Sequence, residues 1–144
     1  MEKIQFDSGV KEYRLNGAGV LRFNPGDPNV YARFLEAVDK IRDLEKTLTR
    51  QAAEGEDPGN TVLKLLQDAD KQLKQTLNWV FGNGNDFDKL LGGVNLLAMA
   101  ENGQRVITNL FSALHPILLS GAESCAREKM QTAGQAAKTR RASR

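Results

Sequence analysis

The sequence predicts an α+β fold that is mainly α, with a short N-terminal β-hairpin or three-stranded sheet packed on a bundle of four to five helices. Three observations lead there. An Asn16-Gly17 pair stands between two short apolar runs in the first 26 residues. Apolar residues then recur at spacings of three and four over two long segments. Glycine, proline and asparagine clusters separate those segments.

Each element follows in order. In "YRLNGAGVLRF", Tyr13, Leu15, Val20, Leu21 and Phe23 flank Asn16-Gly17, a pair that tolerates the positive φ of tight hairpin turns. Gly19 leaves room for a bulge. Ile4 and Phe6 alternate with polar neighbours, which suggests an additional short strand. So few strands need a helical partner to be stable in water.

Asp27-Pro28 marks an N-cap and first helical position. From there Tyr31, Phe34, Val38, Ile41, Leu44 and Leu48 form one stripe, predicting a helix over 28–53. Gly55, Pro58 and Gly59 break it. A second helix over 60–81 carries Val62, Leu65, Leu66, Ala69, Leu73, Leu77 and Val80 on its stripe, with Lys64, Asp68, Lys71 and Lys74 off it. Two such helices on a short loop suggest an antiparallel hairpin.

"DFDKLLGGVNLLAMA" reads as a short helical turn followed by an apolar segment, and Asn102-Gly103 as another break. "QRVITNLFSALHPILL" resumes a helix up to a kink or break at Pro116. A last helix over about 117–133 should fray into a tail. The organisation expected is one domain, with a β element over 1–26, a helical body over 27–134 and a disordered basic tail over 135–144.

Composition narrows function. The 144 residues contain 40% hydrophobic and 26% charged residues, ordinary for a soluble globular chain. No apolar run is long enough to span a bilayer, and the N-terminus has no secretory pattern. The single cysteine, Cys125, fits a reducing compartment. Lys138, Arg140, Arg141 and Arg144 supply more than the whole net charge of +2, so the body is close to neutral. That footprint makes nucleic-acid binding unlikely.

The glycine-rich stretch "VFGNGNDFDKLLGGVN" fails as an ion or phosphate loop. Started at Asn83 or at Asp86, it puts Phe87 or Leu90 where a calcium loop needs an oxygen ligand, and the phosphate-loop pattern is absent. A helix terminus explains it better. Gly82 or Gly84 provides a left-handed cap, and Asn85 or Asp86 begins the next short helix. One histidine, His115, and one cysteine are too few for zinc, and their pairing as base and nucleophile is a chance co-occurrence. No catalytic, cofactor-binding or metal-binding residue is assigned, and no enzyme activity is expected.

The residues left over are apolar. Trp79, Phe81, Phe87, Val94, Leu96, Leu97 and Met99 lie in and around the glycine-rich segments and are the candidate partner-binding residues. "GGVNLLAMA" adds Met-containing adaptability to them.

"IQFDSGVKEYRLNG", "LRFNPGDPNVYARF", "VFGNGNDFDKLLGGVN" and "NGQRVITNLFSALHPIL" resemble a family of small phage and prophage proteins of Gram-positive bacteria, over about residues 3 to 130. In size, N-terminal strands and helical body the chain is similar to tail assembly chaperones of long-tailed phages. The resemblance implies a non-enzymatic protein of the host cytoplasm that self-associates, binds apolar helices of the tape-measure protein and recruits the tail-tube protein. A structural virion protein at the tail or head–tail joint, and a small nucleic-acid-binding regulator using the basic tail, are the alternatives.

Overall fold

The structure, a computed structural model, describes residues 1–54, 58–82 and 84–142, with 58, 60, 61 and 129–142 as helix backbone only. Its elements are strands β1 (Lys11–Leu15) and β2 (Gly19–Phe23), and helices α1 (Pro28–Glu54), α2 (Pro58–Phe81), α3 (Phe87–Leu90) and α4 (Val106–Ala142). The fold is α+β and mainly α, a two-stranded antiparallel hairpin packed on four helices.

The hairpin forms where Asn16 (φ 48°) and Gly17 (φ 76°) enter the left-handed region, and the Ala18 N–H closes the turn on the Leu15 carbonyl at 3.0 Å. Its register pairs Tyr13 with Leu21 and Lys11 with Phe23. Leu21 and Phe23 therefore point into the core, and Tyr13 stacks on Phe23 with ring centroids 5.0 Å apart. Gly19 lets β2 approach α3 closely, because a Cβ there would lie 2.7 Å from the Leu90 Cα.

The sheet has two strands, so the three-stranded alternative is corrected. Residues 1–10 form no strand, and Ile4 and Phe6 are exposed. The cause is local. The Asn24 side-chain amide donates to the Ser8 carbonyl at 3.0 Å, and Gly9 packs against that same amide. Held there, the chain runs past the end of β2 rather than back along β1.

α1 starts where Asp27 Oδ1 accepts from the Asn29 N–H at 2.9 Å. It buries Val30, Phe34, Ala37 and Ile41, a face rotated slightly from the stripe read from sequence; Tyr31, Val38, Leu44 and Leu48 are half-buried beside it. α2 buries Ala69, Leu73, Leu77 and Val80 against it. Arg33 near the start of α1 donates to the Val80 carbonyl near the end of α2 at 2.9 Å, as an antiparallel pair requires. The break anticipated around Gly55 falls partly on residues 55–57, outside the described residues.

α4 packs on α1 and buries Ile107, Leu114 and Leu118. It runs through Pro116 as one helix to Ala142, where a kink or break at Pro116 and a last helix over about 117–133 were expected. The helix-forming sequence on both sides of Pro116, with Leu114 and Leu118 anchored, outweighs the local cost of proline. Gly121 brings α4 against the Pro25 carbonyl so closely that no side chain fits.

Candidate protein-binding surface

The glycine-rich segment after α2 is a structural junction. Gly82 (φ 95°) ends α2, its N–H donating to the Asn78 carbonyl at 2.9 Å. Asn85, buried to 8% exposure, accepts from the Arg22 N–H at 3.0 Å and donates to the Arg22 carbonyl at 2.8 Å and the Phe81 carbonyl at 3.2 Å. One side chain thus closes the outer edge of β2 and ties it to the end of α2. Asp86 caps α3 by accepting from the Asp88 N–H at 3.1 Å.

Lys74, read from sequence as lying off the stripe, is 5% exposed. Its Nζ lies 2.8 Å from Asp70 and 2.6 Å from Asp88, bridging α2 to α3. Burial pulls the ammonium pKa down, but hydrogen bonds and charge from Asp70 and Asp88 outweigh it and leave the pKa above its ordinary value. Asp70 also accepts from the Leu96 N–H at 2.8 Å, and Asn95 donates to the Leu66 carbonyl at 3.2 Å. These bonds lay the 91–97 loop along α2. Among the described residues, no group of three or more His, Cys, Asp and Glu side chains is placed to hold a metal ion.

The seven anchors named from sequence separate into two sets. Phe81, Phe87, Leu96 and Leu97 are buried in the core. Phe87 is packed against Phe81, and Leu96 is fully enclosed, because the Asp70 and Asn78 hydrogen bonds turn their backbone inward. Trp79, Val94 and Met99 are exposed at 44%, 39% and 66%. Trp79 is held in place by Lys40, whose Nζ sits 4.6 Å from the ring centroid.

Sequence reasoning missed the cleft that these loops border. Between the second half of α1 and the first half of α2 lies a cavity of about 390 Å³, walled by Leu48, Ala52, Val62, Leu65 and Leu66 with Glu45 and Arg105 at its edge. Arg105 forms an isolated β-bridge with Met99, so the Met-containing loop adjoins this cleft. The signal was present in the two stripes: Val62 and Leu65 stand on the stripe of α2, yet both are only half-buried.

A second, wider cleft of about 740 Å³ separates β1 and the 24–26 turn from α4, and Cys125 lines it. His115 does not, and sits exposed 6.3 Å from the Phe34 ring. Ten residues along one helix put His115 and Cys125 about 15 Å apart. They form no acid–base pair.

No family model matches the chain, and neither a curated protein nor a solved structure matches it significantly. No helix among the described residues is long and apolar enough to cross a membrane.

Proposed function

We propose that this chain is a non-enzymatic tail assembly chaperone or accessory protein of a long-tailed phage, acting in the host cytoplasm. It binds apolar helical segments of the tape-measure protein through the α1–α2 cleft and associates with itself. The observation that carries the reading is that cleft. Five apolar side chains line a trough between two helices, and an exposed methionine stands on the adjoining loop. An amphipathic helix laid into such a trough buries its apolar face by the helix-in-groove mode. Each large side chain so buried contributes roughly 1.5–3 kcal/mol before ordering costs are subtracted.

Co-expression with the tape-measure product of the same phage, followed by affinity capture, tests the reading. A stable complex is expected from the native chain. Ala52→Trp, which fills the trough while adding no charge, should abolish capture and leave the helical circular dichroism unchanged. A tape-measure product that stays soluble and unbound beside the native chain counts against the reading.

A further inference from the structure

We propose that the N-terminal arm of one copy of this chain adds as a strand to the free edge of β1 in a second copy. The inference rests on the self-association in the reading above and is independent of the tape-measure partner. Its acceptor is defined by the backbone. Arg22 sends both its N–H and its carbonyl outward to Asn85, so its cross-strand partner Glu12 is a non-hydrogen-bonded pair. By the same alternation, the N–H and carbonyl groups of Glu12 and Arg14 point away from β2. Asn85 covers the outer edge of β2. No hydrogen bond among the described residues reaches Glu12 or Arg14 from beyond the hairpin, so the edge of β1 is open.

The donor is the arm itself. Ile4 is 89% exposed and Phe6 80%, on a segment that pairs with no strand of its own chain; Asp7 Oδ1 accepts from the Gly9 N–H at 2.8 Å. They alternate with Lys3, Gln5 and Asp7, the period-2 pattern of a strand with one apolar face. Residues 2–7 span about 20 Å when extended, enough to follow the whole of β1. A strand at that edge would aim Ile4 and Phe6 at the 740 Å³ cleft, where Tyr13, Pro116 and Ile117 await apolar contact. Its other face would set Lys3 and Asp7 beside Glu12 and Arg14, with both signs of charge on each strand.

The chain's own geometry favours exchange between copies. The Asn24–Ser8 hydrogen bond and the packing of Gly9 on Asn24 direct the arm away from its own β1. A two-stranded sheet is marginal in water, and a third strand with a buried face relieves that.

Sedimentation equilibrium on the full-length chain over a wide concentration range tests the proposal. The native chain is expected to associate to at least twice its monomer mass. Phe6→Asp removes the donor's apolar anchor at a position that is 80% exposed. Arg14→Pro deletes one outward N–H, a change edge strands tolerate. Each should raise the dissociation constant by about tenfold or more, the loss expected of one anchor residue. Mixing the two variants joins an intact edge to an intact arm and should restore association that neither has alone. In hydrogen exchange, the Glu12 and Arg14 amides should be protected in the native chain and lose protection in Phe6→Asp. A native chain that is monomeric throughout overturns the proposal, as does association unchanged in Phe6→Asp, whether or not Arg14→Pro folds. Tape-measure capture is scored separately with Ala52→Trp, so either reading can fail alone.

Discussion

At the level of single residues, two buried polar side chains decide how the hairpin, α2 and α3 meet. Asn85→Ala removes three hydrogen bonds and leaves the Arg22 N–H without its acceptor. The expected cost is about 1–3 kcal/mol, read as a lower urea midpoint with an unchanged slope. Lys74→Met should cost more, about 3 kcal/mol, because it strands Asp70 in a largely buried site; exposed Asp88 can turn to water. The pH dependence has a definite sign. Lys74 binds its proton more tightly folded than unfolded, so its contribution is complete below the ordinary lysine value of 10.5 and declines as pH rises through the raised folded value. Native chain and Lys74→Met should differ by a constant amount from pH 7 to 9 and converge only in stronger alkali. The cap at Asp86 was legible because its signal is local. Lys74 was misplaced because Asp88, its second partner, arrives from a separate helix, and an i,i+4 pair with Asp70 looks the same on an exposed face.

Among the elements, the helices and the hairpin turn could be read from spacing, and the boundaries of α1 and α2 agree with it to within two residues. The path of α4 could not. Pro116 is a local signal for interruption, whereas the continuity of α4 depends on Leu114 and Leu118 both finding the core. The Gly121 contact with Pro25 was equally hidden, since it joins residues far apart in sequence. Gly121→Ala therefore should destabilise although alanine favours helix. A forced shift of α4 from the 24–26 turn is expected to cost about 1–3 kcal/mol, against a propensity gain of about 1 kcal/mol at most. A thermal melt decides the sign: a midpoint above that of the native chain would mean that α4 does not press on Pro25. The candidate surface was only half legible for a related reason. "GGVNLLAMA" is apolar throughout, and only the hydrogen bonds from Asp70 and Asn95 determine that Leu96 and Leu97 turn inward while Val94 and Met99 stay outside.

For the molecule as a whole, the buried apolar residues form one connected cluster running from Leu21 and Phe23 through α1, α2 and α3 to Leu118. A single contiguous core should unfold as one cooperative unit, but its edges need not share that stability. In α4 the buried positions among the described side chains end at Leu118, and from Ala122 to Glu128 the helix is half-buried or exposed. Hydrogen exchange should therefore be slowest, and alike in free energy, for amides around Phe34, Leu73, Leu77 and Ile107. Amides of Ala122 to Glu128 should exchange through a smaller opening, and those of residues 2–7 fastest wherever the arm is unpaired. The arm distinguishes the two levels of organisation. If its protection rises with protein concentration while that of Leu77 stays fixed, the stability of the core belongs to one chain and the order of the arm belongs to the assembly. Concentration-independent protection of the arm would instead place it on its own body, against the route set by Asn24 and Gly9.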